Sequence, residues 1–363
     1  MLAFTLSLAM IVKDEEQVIG RVLDCARHFC DELVVVDTGS TDRTVEIAQS
    51  FGAKVFHFDW IDDFAAARNF SFAQCTGDWV IWLDADDVVP EDAQGKLRTL
   101  KMESIDPGVD TIACSYQIAF APDGRCTTSV PRERIIRRNS KGRWESPIHE
   151  SFVQPQQSYF VNRLDIRIEH RKPDVYVERS SDRNLKMLAR LLEKGDRSPR
   201  MLYFYGRELR AHERPEEALQ AFREHVEANP ENDAYRYQAL QTMQQICMEL
   251  NREDEALTWG MQALQANSGR AEAFVELGVL FYRQQKFAQA VSLLTAATVC
   301  ARPTTGLVAE ADYSWRPWHY LSLCYEGLGD FPKAIEAALK AYPDIPDKAV
   351  IRDNIRLFAE KMQ

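Results

Sequence analysis

The segment Trp79-Val80-Ile81-Trp82-Leu83-Asp84-Ala85-Asp86-Asp87 decides how this chain is interpreted. Five apolar residues lead directly into three carboxylates within four positions. Such an apolar run is typical of a strand buried on both faces of a parallel sheet. The acidic cluster then lies where open α/β sheets build ligand sites. A divalent cation would relieve the repulsion between these charges, and oxygen ligands favour Mg²⁺ or Mn²⁺. The alternative is an acidic turn that caps a helix starting near Pro90.

Size and charge narrow the class of protein. The 363 residues suffice for two domains, and the net charge of -11, without a dense basic block, argues against nucleic-acid binding and a polybasic membrane anchor. No apolar run reaches the length of a transmembrane segment. The apolar N-terminus has no basic region before it, so we predict a first strand rather than a signal peptide. The eight cysteines include no Cys-x-x-Cys pair, which predicts a cytoplasmic protein without structural zinc.

Strand-like and helix-like segments alternate through the first 90 residues. Predicted strands cover 4–12, 33–36, 54–58 and 79–83, and predicted helices cover 15–29, about 45–51 and 64–75. This alternation predicts an α/β, Rossmann-like and mostly parallel sheet with helices on both faces. From Asp110 to His170, short apolar runs predict antiparallel additions to the sheet and loops that close over a site.

From about residue 175 the chain has the pattern of a helical repeat. Similar short segments recur at Ala218, Ala256, Ala290 and Ala334, spaced 38, 34 and 44 residues apart. A period near 34 residues indicates tetratricopeptide repeats, whose stacked helix pairs share one core. We expect Asn229-Pro230 to close the first unit, 302–317 to be a loop insertion and 348–361 to cap the stack. The predicted domains are 1–174 and 175–363.

Four motifs follow one another in the N-terminal part. They are Ile11-Val12-Lys13-Asp14-Glu15, Val36-Asp37-Thr38-Gly39-Ser40-Thr41-Asp42, Ala67-Arg68-Asn69, and Gly77-Asp78-Trp79 leading into Leu83-Asp84-Ala85-Asp86-Asp87. Their order resembles the family 2 glycosyltransferases of the GT-A fold, over about 4–172. The resemblance implies inverting transfer of a sugar from a UDP-sugar, aided by Mn²⁺ or Mg²⁺. A sugar nucleotidyltransferase is disfavoured, because no Gly-rich, Arg-containing loop follows the first strand.

The resemblance also implies where the donor binds. It assigns donor binding to Val12, Asp14, Glu15, Asp37, Ser40, Arg68, Asp84, Ala85 and to Trp144, stacked on a sugar face. Asp37 ends the second strand, and its carboxylate can accept hydrogen bonds from the base or the ribose. Arg68 approaches the pyrophosphate, or alternatively forms an ion pair with Asp62 or Asp63. Glu15 is alternatively an acid in the first turn of a helix.

The same resemblance distributes the cation ligands. It implies that Asp86 ligates the cation directly and that Asp84, the second acid of the cation site, contacts the ribose or metal-bound water. Asp87 has a catalytic role in orienting the acceptor, or else orients groups around the cation. Either His170 or His149 completes the cation site, and the alternative for each is a hydrogen-bonded structural histidine.

An inverting transfer also needs a base that deprotonates the acceptor. Glu150 lies in a Trp144–Glu150 segment that resembles the His-Glu segment of family members with C-terminal repeats. We predict Glu150 as this base, with a raised pKa. Glu145 is the rival.

The repeats suggest the class of acceptor. Helical repeats form grooves that hold extended peptides or partner helices. Relatives with this domain order include bacteriocin glycosyltransferases that modify cysteine or serine, and lipopolysaccharide-core glucosyltransferases have related catalytic domains. We predict a peptide or protein acceptor, with a lipopolysaccharide or other surface glycan as the alternative. The repeats alternatively buttress the first domain or form a homodimer. The rival outside the enzymes is a scaffold with a decayed transferase domain.

Overall fold

The computed structural model describes residues 4–154, 159–171, 174–228 and 235–362. The predicted end of the first repeat at Asn229-Pro230 therefore lies outside the described residues. The chain divides into two compact units, Met1–Ala119 with Ser129–Met187 and Phe120–Thr128 with Leu188–Gln363. The domain boundary at 174 stays a prediction.

The first unit is built on a mixed sheet, although the strand ends Phe120 and Cys126–Thr128 are counted with the second unit. Its strands are β1 (Leu6–Val12), β2 (Glu32–Asp37), β3 (Lys54–His57), β4 (Trp79–Trp82), β5 (Asp87–Val88), β6 (Val109–Phe120), β7 (Cys126–Arg137) and β10 (Tyr159–His170), in the spatial order β3-β2-β1-β4-β7-β6-β10-β5. β1 pairs in parallel with β2 and with β4, and β2 pairs in parallel with β3. These carboxyl ends therefore meet at one edge, as the alternating pattern predicted.

The later strands only partly match the predicted antiparallel additions. β7 runs antiparallel to β4, and β5 runs antiparallel to β10. β10, however, runs parallel to β6, so this part of the prediction is wrong. The segments β8 (Arg143–Glu145) and β9 (Ser151–Val153) form a separate antiparallel pair. The short apolar runs after Asp110 do not alternate with helices, so they carry no signal for the direction of β10 relative to β6.

The helices of the first unit are α1 (Ile19–Ala26), α2 (Thr44–Ser50), α3 (Phe64–Gln74) and α4 (Glu91–Lys101). β4 is buried along its whole length, which explains its uninterrupted apolar sequence. The first helix starts at Ile19 rather than at the predicted Glu15. Asp14 takes a left-handed backbone with φ of 53°, so the chain turns before the helix can begin.

The second unit is helical, as predicted. After α5 (Asp174–Glu193) come α6 (Pro199–Ala211), α7 (Pro215–Ala228), α8 (Arg236–Glu249), α9 (Glu253–Ala266), α10 (Ala271–Arg283), α11 (Phe287–Thr298), α12 (Arg316–Gly327), α13 (Phe331–Ala341) and α14 (Lys348–Lys361). The four recurring alanines Ala218, Ala256, Ala290 and Ala334 lie in the second helix of each pair, and each is 0% exposed. A small side chain at this position lets the two helices of a pair approach closely.

The predicted insertion has structure of its own. It contains the short strand β11 (Val308–Ala309) and a 3-10 helix (Glu310–Tyr313) before α12 begins. None of the described helices combines the length and the apolar content that a membrane crossing requires.

Candidate active site

Hydrogen bonds join the ends of β1 and β2. The Asp37 carboxylate, 6% exposed, accepts from the backbone N–H groups of Gly39 and Ser40, each at 3.1 Å. Asp14 Oδ1 accepts from the Thr41 N–H at 2.7 Å, and the Asp14 N–H donates to Ser40 Oγ at 2.9 Å. The structure thus brings the predicted donor residues Asp14, Asp37 and Ser40 together at the adjacent ends of β1 and β2.

Two further predicted donor residues lie in the same place. The Val12 carbonyl accepts from the N–H of Thr38 at 2.9 Å and from its hydroxyl at 3.0 Å. The Glu15 N–H donates to Thr44 Oγ1 at 2.7 Å. Helix α1 has no acidic residue in its first turn, so Glu15 is not the first-turn acid of the alternative interpretation.

Arg68 on helix α3 connects two carboxylates. Its Nη2 donates to Asp84 Oδ1 at 2.8 Å, and its Nε donates to Glu150 Oε1. The guanidinium carbon lies 4.2 Å from the centroid of the Trp82 ring, and the residue is only 5% exposed. Asp63, an alternative partner in the sequence, instead caps α3 by accepting from the Ala66 N–H. Arg68 therefore lies within the candidate site and is the positively charged side chain that bonds to both Asp84 and Glu150.

This cation controls the ionisation of both acids. Burial by itself would raise the pKa of Asp84, but Arg68 and Arg134 outweigh burial and hold that pKa well below its usual range. Burial would likewise raise the pKa of Glu150, yet the charges of Arg68 and Arg132 lower it overall. The raised pKa predicted for Glu150 is therefore wrong for this arrangement, because the prediction did not include its partner.

Asp87 is completely buried, and both of its carboxylate oxygens accept hydrogen bonds. Its Oδ2 accepts from Arg134 Nη1 at 3.0 Å and from the Asp84 N–H at 2.9 Å. Its Oδ1 accepts from the Tyr116 hydroxyl at 3.0 Å. A carboxylate that is 0% exposed has no surface for an acceptor. The predicted catalytic contact does not fit this position, whereas the alternative, in which Asp87 orients its neighbours, does.

Acids and a histidine meet beside Asp87. Ligand atoms of Asp84, Asp87 and His170 lie within 4.8 Å of one another, and His170 Nδ1 lies 3.3 Å from Asp86 Oδ1. Among the described residues, His149 does not belong to this group. Burial would lower the pKa of His170, but the hydrogen bond to Asp87 and the charge of Asp86 raise it overall. Carboxylates with one imidazole form a donor set that could hold a divalent metal ion.

Trp144 does not have the exposed face that sugar stacking needs. It is 2% exposed and packs edge-on against Trp82, with ring centroids 5.1 Å apart. Phe72 and Phe152 pack against it from other sides. We therefore correct the predicted donor role: Trp144 supports the ring beneath Arg68 from the core. Ala85, also assigned to the donor, is 4% exposed.

Sequence reasoning missed Arg134 and Tyr116, which both contact Asp87. Both lie in strands that were predicted only as short apolar runs. The one signal in the sequence was Arg134 itself, a basic residue directly before Ile135-Ile136 in a run that is otherwise typical of a buried strand.

Comparison with known proteins agrees with this geometry. Residues 7–149 match the family model described as glycosyl transferase family 2, and residues 180–233 match a tetratricopeptide repeat model. The first part of this chain is a family 2 glycosyltransferase domain. The predicted fold class, a GT-A domain followed by a helical-repeat region, is thereby confirmed. The family match contains the strand ends at Asp37 and Asp84 but stops before Glu150 and His170.

Several curated proteins are similar to part of this chain. A TPR repeat-containing protein of Synechococcus elongatus is 39% identical over 144 residues, covering 40% of this chain and 34% of the relative. The SPbeta prophage-derived glycosyltransferase SunS of Bacillus subtilis is 26% identical over 225 residues, which cover 59% of this chain and 51% of SunS. An uncharacterized glycosyltransferase of Rickettsia bellii is 34% identical over 172 residues, which cover 44% of this chain and 56% of the relative. The matched region thus spans between about a third and just over half of each relative.

Proposed function

We propose that this protein transfers a sugar from a UDP-sugar to a polypeptide side chain in an inverting reaction that depends on Mn²⁺ or Mg²⁺. One observation carries the proposal. In a family 2 glycosyltransferase domain, Asp37 ends β2, and Asp84 and Asp86 follow β4 beside His170. A nucleotide site and a cation site at one edge of the sheet are what a nucleotide-sugar donor requires.

The adjacent ends of β1 and β2 would hold the nucleoside. The carboxylates there, from Asp14 after β1 and Asp37 at the end of β2, are acceptors for base N–H groups and ribose hydroxyls. Backbone bonds already hold both side chains in place, so ordering them on binding would cost little conformational entropy.

The cation would be held by Asp86, Asp84 and His170. When bound, it would neutralise the charge that the departing UDP gains in the transition state. Asp84 already faces a cation in Arg68, and both positive groups would then lie beside the diphosphate. Arg68 contributes a guanidinium whose planar fork matches phosphate oxygens.

Glu150 remains the proposed base in spite of its lowered pKa. Its ion pair with Arg68 uses the same guanidinium that a diphosphate would attract. A bound donor would therefore compete for Arg68 and leave Glu150 buried with a weaker partner, which raises its pKa and its basicity. The base would become strong only when the donor is in place. Glu145, the rival, pairs with Arg143 at 2.9 Å and has 43% of its side chain exposed.

A polypeptide is the proposed acceptor because the second unit contains tetratricopeptide-type helices, and repeats of this kind hold extended peptides. The alternative is a lipopolysaccharide or other surface glycan. A cytoplasmic location and a homodimer stay proposals that come from the sequence.

The test is a UDP-release screen across sugar donors, with mass spectrometry of candidate peptides and glycans in the same reactions. We expect release that needs Mn²⁺ or Mg²⁺, and a mass increase of one sugar on a peptide. Asp86→Asn should reduce release by about 10²–10³-fold, the scale of losing one group that stabilises transition-state charge. Asp24→Asn, at an exposed surface pair, is the matched control. Metal-dependent release that the Asp86→Asn variant retains would contradict the metal role, and sugar on glycans alone would contradict the polypeptide acceptor.

A further inference from the structure

A buried arginine on β7 is enclosed by two aromatic rings. Arg134 is 0% exposed, and its guanidinium carbon lies 3.7 Å from the centroid of the Trp82 ring and 3.8 Å from that of Tyr116. Its Nη1 donates to Asp87 Oδ2 at 3.0 Å and to the Trp82 carbonyl at 3.2 Å. Cations held this way are stabilised by ring faces as well as by their counter-ion. Arg134 therefore holds the side chain of its partner, Asp87, in one position.

The hydrogen-bonding capacity of Asp87 is used inside the protein. A carboxylate has about four lone-pair positions. Arg134 and the Asp84 N–H occupy Oδ2, and the Tyr116 hydroxyl occupies Oδ1, with His170 Nδ1 3.3 Å away. A cation on Oδ2 of Asp87 would have to displace the buried Arg134 guanidinium, and one on Oδ1 would have to displace the Tyr116 hydroxyl. Although Asp87 lies within reach of Asp84 and His170, its contacts suit it to orienting them and leave no oxygen for a cation.

These contacts also orient the His170 ring. The Nδ1 atom lies 2.9 Å from the Tyr116 hydroxyl oxygen, which itself donates to Asp87. The Tyr116 hydroxyl therefore links the His170 ring to the Asp87 carboxylate. Metal-binding histidines generally donate their other N–H to such a partner, which sets the tautomer.

We propose that Arg134 and Tyr116 are positioning residues of the cation site. Arg134 holds the Asp87 side chain, whose Oδ2 accepts from the Asp84 N–H, and Tyr116 joins Asp87 to His170. Together they fix Asp84 and the His170 ring in place beside Asp86. The proposal rests on the proposed function only in assuming that a cation binds there.

The experiment measures Mn²⁺ binding to the full chain without any substrate, by electron paramagnetic resonance of free Mn²⁺, together with the thermal midpoint. Tyr116→Phe keeps the ring over Arg134 and removes the hydroxyl. We expect it to weaken Mn²⁺ affinity about 10–100-fold, the usual effect of losing a group behind a metal ligand. Its thermal midpoint should stay close to the parent value.

The matched control is Arg137→Lys. Arg137 lies on the same strand and stacks on Trp79 at 4.4 Å, at the opposite end of β4 from the acids, and donates to the Val109 carbonyl. Its replacement should leave Mn²⁺ affinity unchanged, whereas Arg134→Lys should weaken it. If Arg134→Lys does not fold, Tyr116→Phe decides alone.

The possible results separate the two proposals. Equal Mn²⁺ affinity in the parent and Tyr116→Phe proteins would overturn the positioning roles and leave the proposed transfer reaction intact. A parent protein that binds no Mn²⁺ would overturn both. Weakening by Tyr116→Phe but not by Arg137→Lys supports the positioning roles.

Discussion

Among single residues, Arg68 has the widest influence on the candidate site. One guanidinium pairs with Asp84 and Glu150, and it rests on the Trp82 ring. Both acids are drawn below their ordinary pKa by this charge, against the effect of burial. Removing one partner of such a buried pair leaves the other acid without compensation.

Arg68→Met should therefore raise the pKa of Glu150 by about one to three pH units, because desolvation would then act against a weaker opposing charge. The measurement is a pH titration of protein labelled with ¹³C at the glutamate carboxyl, with Glu150→Gln used to assign the signal. Arg143→Met, which removes the exposed partner of Glu145, is the control and should leave the Glu150 signal unchanged. A Glu150 pKa that does not move would show that Arg68 is not the dominant partner.

At the scale of secondary-structure elements, the helix pairs of the second unit depend on small residues. Gly278 on α10 faces Leu294 on α11, and a Cβ built at Gly278 would lie 2.6 Å from Leu294 Cγ. That distance is too short for two carbon atoms, so one of the helices or side chains would have to move.

Gly278→Ala is expected to destabilise this pair. Overpacking costs about 1–3 kcal/mol, which exceeds the roughly 0.5–1 kcal/mol that alanine contributes by helix propensity. The readout is the free energy of unfolding from urea denaturation followed by circular dichroism. Ser292→Ala on the exposed side of α11 is the control and should change it by less than about 0.5 kcal/mol. A stabilised Gly278→Ala protein would mean that the helices separate more easily than this packing suggests.

The 3-10 helix before α12 buries an acid among other charges. Asp312 is 1% exposed, its Oδ1 accepts from Arg316, and its Oδ2 has no hydrogen-bond partner among the described residues. Burial, and then the charge of Glu276, raise the pKa of Asp312 to about 7 in spite of Arg316. Arg316 also pairs with Glu276 at 2.9 Å, so two acids share this cation.

The sign of the resulting pH dependence follows from linkage. The folded pKa lies above the unfolded value of about 3.8, so the folded state retains the proton more strongly. Stability from this group is complete below about pH 3.8 and is lost as pH rises through about 7. Asp312→Asn should therefore raise the thermal midpoint more at pH 8 than at pH 5.

Differential scanning calorimetry at both pH values checks this prediction. The control is Asp353→Asn, on an exposed position of α14, which should show no such difference. An Asp312→Asn protein that loses stability more at pH 8 than at pH 5 would reverse the sign and show that the charged carboxylate is the stabilising form.

At the scale of the whole molecule, the proposed ligands belong to one unit. We expect UDP with Mn²⁺ to slow hydrogen exchange in the segments 12–15, 37–41 and 84–87, because ligand binding lowers the population of locally open states. Exchange mass spectrometry of the full chain measures this. Residues 188–362 should exchange at unchanged rates, and ADP with Mn²⁺ is the control nucleotide. Slowed exchange confined to the helical unit would contradict the site.

Local patterns were sufficient for most elements of both units. The apolar run ending at Leu83 predicted β4, and the recurring alanines predicted the second helix of each pair, because both patterns express burial that neighbouring residues share. The helix from Lys348 to Lys361 was predicted with the same bounds. The start of α1 was not, since the left-handed turn at Asp14 depends on bonds to Thr41 across the strand ends.

By itself the sequence determined the family, the order of the two kinds of structure and the acids at the strand ends. Each of these features depends on short motifs or on local patterns of neighbouring residues. Only the tertiary structure decided the lowered pKa of Asp84 and of Glu150 and the burial of Trp144. Arg68 lies 82 positions from Glu150 and Arg134 lies 47 from Asp87, so no local pattern links them. The pKa of a carboxyl depends on which charge lies within a few ångströms and on how much water remains, and both follow from chain packing.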